Sequence, residues 1–162
     1  MEAAVRIMGI DFGERRIGVA VSDPTGVLAS PHGTVSRRAG KRWPLPALER
    51  IARDREVERL IVGLPLDAGG AENEWCARVR DAGDELARRL DIPVDYVDER
   101  MTSVRATRSL REAGISRARR RDKALIDAAA AAIILQTYLD RRSGESGTAF
   151  GEPASGHTGD SP

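Results

Sequence analysis

The most informative stretch for the fold is residues 5–26, which read VRIMGIDFGERRIGVAVSDPTG. Apolar residues alternate with others over residues 5–11 and 17–22, as is typical of β-strands that have two different faces. The Gly-Glu-Arg-Arg and Asp-Pro-Thr-Gly segments that follow them are turn-forming. A third, weaker strand is predicted over residues 27–35, interrupted at Pro31. Three strands joined by short turns predict an antiparallel meander.

The rest of the chain alternates between helical and strand patterns. Residues 60–64 are a continuous apolar run, which predicts a central strand buried on both faces. A further short strand is predicted over residues 93–97, and helices over residues 44–55, 75–90, 102–113 and 122–139. This order predicts an α/β domain with a mixed five-stranded sheet, in which the antiparallel meander is followed by parallel strands and helices flank the sheet.

Composition limits the domain organisation. Residues 1–142 have the length of one domain, whereas residues 143–162 are rich in Gly, Ser, Thr and Pro and are predicted to form a disordered tail. Cys76 is the only cysteine, so no internal disulfide forms, and two histidines offer no Cys/His zinc spacing. Because no signal peptide or membrane-spanning run is recognisable, we expect a cytoplasmic protein without a membrane partner.

Positive charge is concentrated in one part of a nearly neutral chain. The net charge is +1, yet residues 100–123 contain nine basic and two acidic residues. Such asymmetry favours a polyanionic partner, here a nucleic acid. A compositional bias explains why arginine is more frequent than lysine, but it does not explain why the basic residues are clustered. Trp43, beside Lys41 and Arg42, is a candidate for stacking on a base, although an aromatic residue of this kind is more often part of a core or edge.

Acidic residues in apolar surroundings are the candidates for chemistry. Asp11 ends the first strand, Asp98 and Glu99 end the last strand, and Asp127 precedes an apolar run in the last helix. An ionised carboxylate in such a setting is costly unless it is paired, and Mg²⁺ prefers carboxylate oxygens. The two strand ends and the packed helix could bring these carboxylates together at one end of the sheet. Such a cluster would suit metal-assisted phosphodiester hydrolysis.

Each carboxylate also has a purely structural interpretation. Asp11 is well suited to start the turn that follows it. Asp127 lies four residues after Lys123, a spacing that forms ion pairs on a helix. Asp98 or Glu99 lies where a following helix N-terminus attracts negative charge. If the strand stays regular, Asp98 and Glu99 point to opposite faces, so only one of them can join Asp11, and periodicity does not decide which.

Five motifs stand in order between residue 5 and about residue 140: Asp11-Phe12-Gly13, Ile17-Gly18-Val19-Ala20, Val62-Gly63-Leu64-Pro65-Leu66, Asp98-Glu99-Arg100 with Thr102, and Lys123 with Asp127. Together they resemble the YqgF/RuvX family of Holliday-junction-resolvase-like proteins, whose expected role is trimming the 5′ end of precursor 16S rRNA in ribosome maturation. Any one motif is weak, whereas the ordered set is specific.

The resemblance implies an RNase H-like fold and an acidic site made of Asp11, Glu99 and Asp127, and so favours Glu99 over Asp98. We expect these residues to bind one or two Mg²⁺ or Mn²⁺ ions. Supporting or phosphate-contacting roles are predicted for Lys123, Arg100 and Thr102, and nucleic-acid binding for Arg117, Arg119, Arg120 and Arg121. The implied partner is precursor 16S rRNA or a pre-ribosomal particle.

Three other functions fit parts of the sequence. A Holliday junction resolvase would use the same residues on branched DNA and would require a dimer, and the sequence allows a monomer or a homodimer. A ribosome maturation factor could bind rRNA without cleaving it. A phosphotransferase of the actin or sugar-kinase type shares the Asp-Phe-Gly hairpin, but this chain is too short for a second closing domain and has no P-loop.

Overall fold

The structure is a computed structural model that describes residues 5–101 and 120–148. Its elements alternate as the sequence patterns predict, with three strands first and helices and strands after them. In chain order they are β1 (Ile7–Phe12), β2 (Arg16–Ser22), β3 (Ala29–Ser36), α1 (Leu45–Asp54), β4 (Arg59–Leu64), α2 (Glu74–Leu90), β5 (Val94–Asp98), a 3-10 helix (Glu99–Met101) and α3 (Arg120–Thr148).

The five strands form one mixed sheet in the order β3-β2-β1-β4-β5. Strands β1, β2 and β3 pair antiparallel, whereas β4 pairs parallel with both β1 and β5. Pro31 lies in β3, which is an edge strand where a missing backbone donor is tolerated, and the β2–β3 register shifts between Val19 and Ala20. The predicted α/β architecture and meander are therefore confirmed.

Helices cover both faces of the sheet. On one face, α1 and α2 pack on alternate residues of β1 such as Met8, Ile10 and Phe12. On the other face, α3 packs on Ile7 of β1, Ala20 of β2 and their neighbours on β4 and β5. The strands of the centre are consequently buried on both sides. Across the described residues, no helix is long and apolar enough to cross a membrane.

The last helix differs from its predicted extent. The composition after residue 142 predicts a disordered tail over residues 143–162, but α3 continues to Thr148. An existing helix gains a hydrogen bond for each added residue, so a polar sequence alone does not end it. The predicted helix over residues 102–113 and the rest of the predicted tail lie outside the described residues.

Close packing of α3 on the sheet depends on residues without side chains. A Cβ atom at Gly9 would lie 2.7 Å from Cβ of Leu135, and one at Gly18 would collide with the carbonyl oxygen of Asp127. Gly63 of β4 makes a third such contact with α3, because a Cβ there would lie 2.6 Å from Cδ1 of Ile134. These glycines let the helix backbone approach the strands, and the contact at Gly18 fixes the height of Asp127 above the sheet.

We expect Gly18→Ala to lower the free energy of unfolding by about 3 kcal/mol, the upper end of the usual overpacking cost, because the new methyl group meets helix backbone that cannot move aside alone. Gly144→Ala on the same helix is the matched control, since a Cβ there meets nothing within 4 Å. It should be neutral or stabilising by up to about 1 kcal/mol. Urea unfolding measures both, and equal stabilities for the two variants would contradict the packing argument.

Candidate active site

The carboxyl ends of β1, β4 and β5 meet at one edge of the sheet because these strands are parallel. This edge is the one at which ligands bind in open α/β sheets. Asp11 lies at the end of β1, and Glu99 immediately follows β5. Asp127 reaches the same edge from α3 through its contact with Gly18, the antiparallel partner of Asp11.

Burial distinguishes these acidic residues from the others in the described chain. Asp11 and Glu99 are each 2% exposed and Asp127 is 0% exposed; with Ser22 they are the buried polar or charged residues among those described. Asp11 shares the α3 face of β1 with Ile7 and Gly9, as strand alternation requires. Asp11 and Asp127 therefore lie on the same side of the sheet, across the Asp11–Gly18 pair.

The end of β5 separates Asp98 from Glu99. Asp98 is the last residue of the strand and its carboxylate accepts from Arg100, with Nη2 at 2.7 Å from Oδ2. Glu99 begins the 3-10 helix and turns toward the α3 face, where its Oε1 would be 2.9 Å from a Cβ at Gly63. Gly63 and Asp11 each follow the last paired residues of β4 and β1. The end of β5 thus turns Glu99, and not Asp98, to the α3 face beside Gly63.

Arg16 also belongs to this edge, and the sequence analysis missed it. Its Nε donates to Oδ2 of Asp127 at 2.6 Å, and its side chain is 33% exposed. The Gly-Glu-Arg-Arg pattern predicts Arg16 in the turn after β1, whereas the structure has it as the first residue of β2. Side chains alternate along β2, and this alternation, traced back from Ala20 through Gly18, places Arg16 on the α3 face. The sequence therefore contained the pattern that predicts its position.

The donor atoms of this edge suit a hard divalent cation in type, because carboxylate oxygens are the ligands that Mg²⁺ prefers. Their burial gives a second reason, since buried carboxylates require compensating positive charge. Within residues 5–101 and 120–148, however, no three His, Cys, Asp or Glu side chains are grouped so that they could hold a metal ion. The arrangement supplies donors along one edge, with Arg16 on Asp127, and is not a preformed three-carboxylate cage.

The other predicted site residues are only partly described. Arg100 is held by Asp98, and its guanidinium also donates from Nη1 to the Ala68 carbonyl at 3.5 Å. The Asp98 hydrogen bond raises the pKa of Arg100, so this residue stays a cation beside the edge. Thr102, Arg117 and Arg119 lie outside the described residues, and only the backbone is described for Arg120, Arg121 and Lys123 on α3.

Comparison with known proteins shows the family of this chain. A family model described as RuvX: Holliday junction resolvase matches residues 5–141. This chain belongs to the RuvX family. Among its relatives, a protein of Syntrophomonas wolfei is 43% identical over 136 residues, covering 84% of this chain and 94% of the relative. One of Myxococcus xanthus is 45% identical over 136 residues, covering 84% and 88%. Both carry the name pre-16S rRNA nuclease.

Solved structures support the fold assignment of this RuvX-family chain. RuvC of Thermus thermophilus, solved in complex with a Holliday junction substrate, superposes with a TM-score of 0.52 at 17% identity. The similarity covers 86% of this chain and 96% of RuvC. The expected RNase H-like fold is thereby confirmed, and the family membership makes the chain a nuclease.

The ion pair at Asp127 gives a test of how strongly the edge depends on Arg16. Arg16→Met should cost about 2–3 kcal/mol of unfolding free energy, because it leaves a fully buried carboxylate without this partner; partial exposure of Arg16 reduces the effect. Arg59→Met is the matched control. Its pair with Asp95 is also 2.6 Å long and Arg59 is 32% exposed, but Asp95 is 48% exposed. The control should cost less than about 1 kcal/mol, and equal losses in urea unfolding would contradict the account.

Proposed function

We propose that this RuvX-family nuclease cleaves phosphodiester bonds of precursor 16S rRNA in the cytoplasm, with Asp11, Glu99 and Asp127 as its catalytic carboxylates. The observation that carries the proposal is the burial of these acidic side chains on the α3 face at one edge of the sheet. The names of its relatives favour the rRNA substrate. The family description favours a second candidate, resolution of Holliday junctions in branched DNA.

The same carboxylates would hold one or two Mg²⁺ or Mn²⁺ ions. When bound, such ions activate a water and stabilise the leaving oxygen in phosphodiester hydrolysis. Asp11 approaches the site from the end of β1 and Glu99 from the 3-10 helix that directly follows β5, while Asp127 approaches from a helix held against Gly18. Their donors are thus carried by elements that the core fixes, as a precise ligand set requires.

Cleavage of labelled precursor 16S RNA and of a four-way DNA junction, measured side by side in Mg²⁺, tests the proposal. Wild type should cut the RNA, and Asp11→Asn and Glu99→Gln should each lose at least about 100-fold in rate, because each removes a carboxylate charge that would hold the metal ion stabilising the leaving oxygen. Asp98→Asn is the control for Glu99→Gln. The Asp98 carboxylate is bound to Arg100 beside the site. The cleavage rate of Asp98→Asn should therefore stay within about threefold of wild type.

Other outcomes would assign the protein differently. Symmetric paired cuts in the junction, with the RNA left intact, would favour the resolvase function and should come with a dimer in solution. Binding of RNA without cleavage by wild type and Asp11→Asn alike would favour a maturation factor that does not cut. Equal losses of cleavage rate in Asp98→Asn and Glu99→Gln would contradict the assignment of Glu99 as a catalytic carboxylate.

Arg16 makes metal binding at Asp127 a competition between two cations. Because Nε of Arg16 occupies Oδ2 of Asp127, an ion that uses this oxygen must share or displace the guanidinium. Arg16→Met should therefore bind Mn²⁺ at least about tenfold more tightly, which is about 1.4 kcal/mol of relieved competition. Arg16→Lys, which keeps the charge, should lie closer to wild type.

Calorimetric titration with Mn²⁺ measures this competition without reference to catalysis. The double variant Arg16→Met with Asp127→Asn is the control, since it lacks both partners and should lose the gain. Unchanged or weaker Mn²⁺ binding in Arg16→Met would contradict the competition and would assign Arg16 to orienting Asp127 instead.

A further inference from the structure

Both tryptophans of the chain lie together at the edge of the sheet that carries Asp11. Trp43 precedes α1 and Trp75 is in the first turn of α2, and their ring centroids are 5.7 Å apart. The ring of Phe12, the residue after Asp11, is 5.0 Å from that of Trp43. An aromatic cluster therefore begins one residue away from a proposed catalytic carboxylate, on the opposite face of β1.

Arg37 covers this cluster and ties it to the hairpin of β1 and β2. Its guanidinium carbon is 3.7 Å from the centroid of Trp43, a favourable cation–π distance. The same guanidinium donates to the carbonyl oxygen of Lys41 at 2.8 Å and to that of Glu14 at 3.2 Å. The backbone N–H of Arg37 donates to the carbonyl of Arg15 at 2.8 Å. The loop after β3 is thus fastened to the turn that follows Asp11.

The surface of this loop carries positive charge that the neighbouring side chains do not neutralise. Arg38, Lys41 and Arg42 are exposed, and none of them forms an ion pair within the described residues.

Burial and the nearby cation Arg78 together lower the pKa of Arg37, while Glu14 opposes the shift. By contrast, Arg53, Arg59 and Arg80 are paired with carboxylates. The loop is therefore suited to an anionic partner.

We propose that this surface, the Arg–Trp platform, binds the single-stranded segment of RNA that flanks the scissile phosphate. The platform consists of Arg37, Arg38, Lys41, Arg42, Trp43 and Trp75. This inference rests on the proposed function and names the surface that holds its substrate. Arg38, Lys41 and Arg42 contact phosphates, and an unpaired base stacks on the outer plane of the Arg37 guanidinium, which lies on the Trp43 indole.

Two features favour a single-stranded RNA over other anions. Aromatic and guanidinium planes next to cations provide both contacts that single strands use, whereas the bases of a duplex are already stacked. The platform also shares its edge with Asp11, and Phe12 connects the two in sequence and through its contact with Trp43. A strand that lies on the platform is consequently led toward the carboxylate edge.

Binding measured in EDTA tests the platform separately from cleavage. A labelled single-stranded RNA of about 12 nucleotides, within the usual span of such sites, would be titrated at several salt concentrations. The triple variant Arg38→Gln, Lys41→Gln, Arg42→Gln should bind at least about tenfold more weakly near 0.1 M salt. The slope of log K against log salt should fall by about 2, because each phosphate contact on a single strand contributes about 0.7.

The matched control is the triple variant Arg50→Gln, Arg55→Gln, Arg88→Gln. It removes the same charge from exposed positions within or at the ends of α1 and α2, of which Arg88, unlike the loop cations, is paired with Glu85. Its affinity should stay within about twofold of wild type and its salt slope should be unchanged, because it removes no phosphate contact. Since both tryptophans belong to the platform, RNA binding should also quench or shift the intrinsic tryptophan emission of wild type.

Four results would overturn the platform. Equal losses in the two triple variants would show general charge attraction, and tryptophan emission unaffected by bound RNA would place the RNA elsewhere. Equal affinity for a duplex, or displacement of the RNA by polyglutamate at the same charge concentration, would exclude a single-strand site. If the platform fails but Asp11→Asn still loses RNA cleavage, the proposed function stands; if the platform binds RNA and wild type cleaves nothing, the proposed function fails.

Discussion

Direct contact between the backbone of α3 and the sheet is the constraint on which the site depends. Glycines at positions 9, 18 and 63 leave one position without a side chain under the helix on each of β1, β2 and β4. The helix consequently lies close enough for Asp127 to reach the edge where Asp11 ends β1. The carboxyl ends of the parallel strands β1, β4 and β5 and the start of the antiparallel strand β2 converge at this edge. One helix contact, at Gly18, therefore joins the hairpin to the strand ends that carry the acidic residues.

Burying several carboxylates in one place is costly, and the structure shows how part of that cost is offset. Arg16 donates to Asp127 from the first position of β2, next to the strand that carries Asp11. A divalent cation would supply the same compensation more strongly, because it concentrates two charges at the donor oxygens. Arg16 and a metal ion are therefore alternatives for part of the same negative charge. Because Arg16 already compensates part of this charge, the described carboxylates can be of the type that binds Mg²⁺ without being grouped around one ion.

Local patterns were sufficient for the strands and most helices, because period-two alternation and continuous apolar runs depend on burial alone. The choice between Asp98 and Glu99 was not available from periodicity, since it depends on where β5 gives way to the 3-10 helix. The ion pair of Arg16 and the packing of Arg37 on Trp43 join residues from different elements, which spacing along the chain cannot reveal. The helical pattern over residues 122–139 also ends before α3 does, because helix propagation does not depend on apolar periodicity.

Anomalous diffraction from crystals soaked in Mn²⁺ tests the central claim, that the edge formed by Asp11, Glu99 and Asp127 is a metal-dependent active site, most directly. The account predicts an anomalous peak bound by Asp11 and at least one of the other two carboxylates on the α3 face, with the Arg16 guanidinium displaced from Oδ2 of Asp127. A peak bound elsewhere, or none on this face while Arg16 keeps its ion pair in a protein that cleaves RNA, would contradict it.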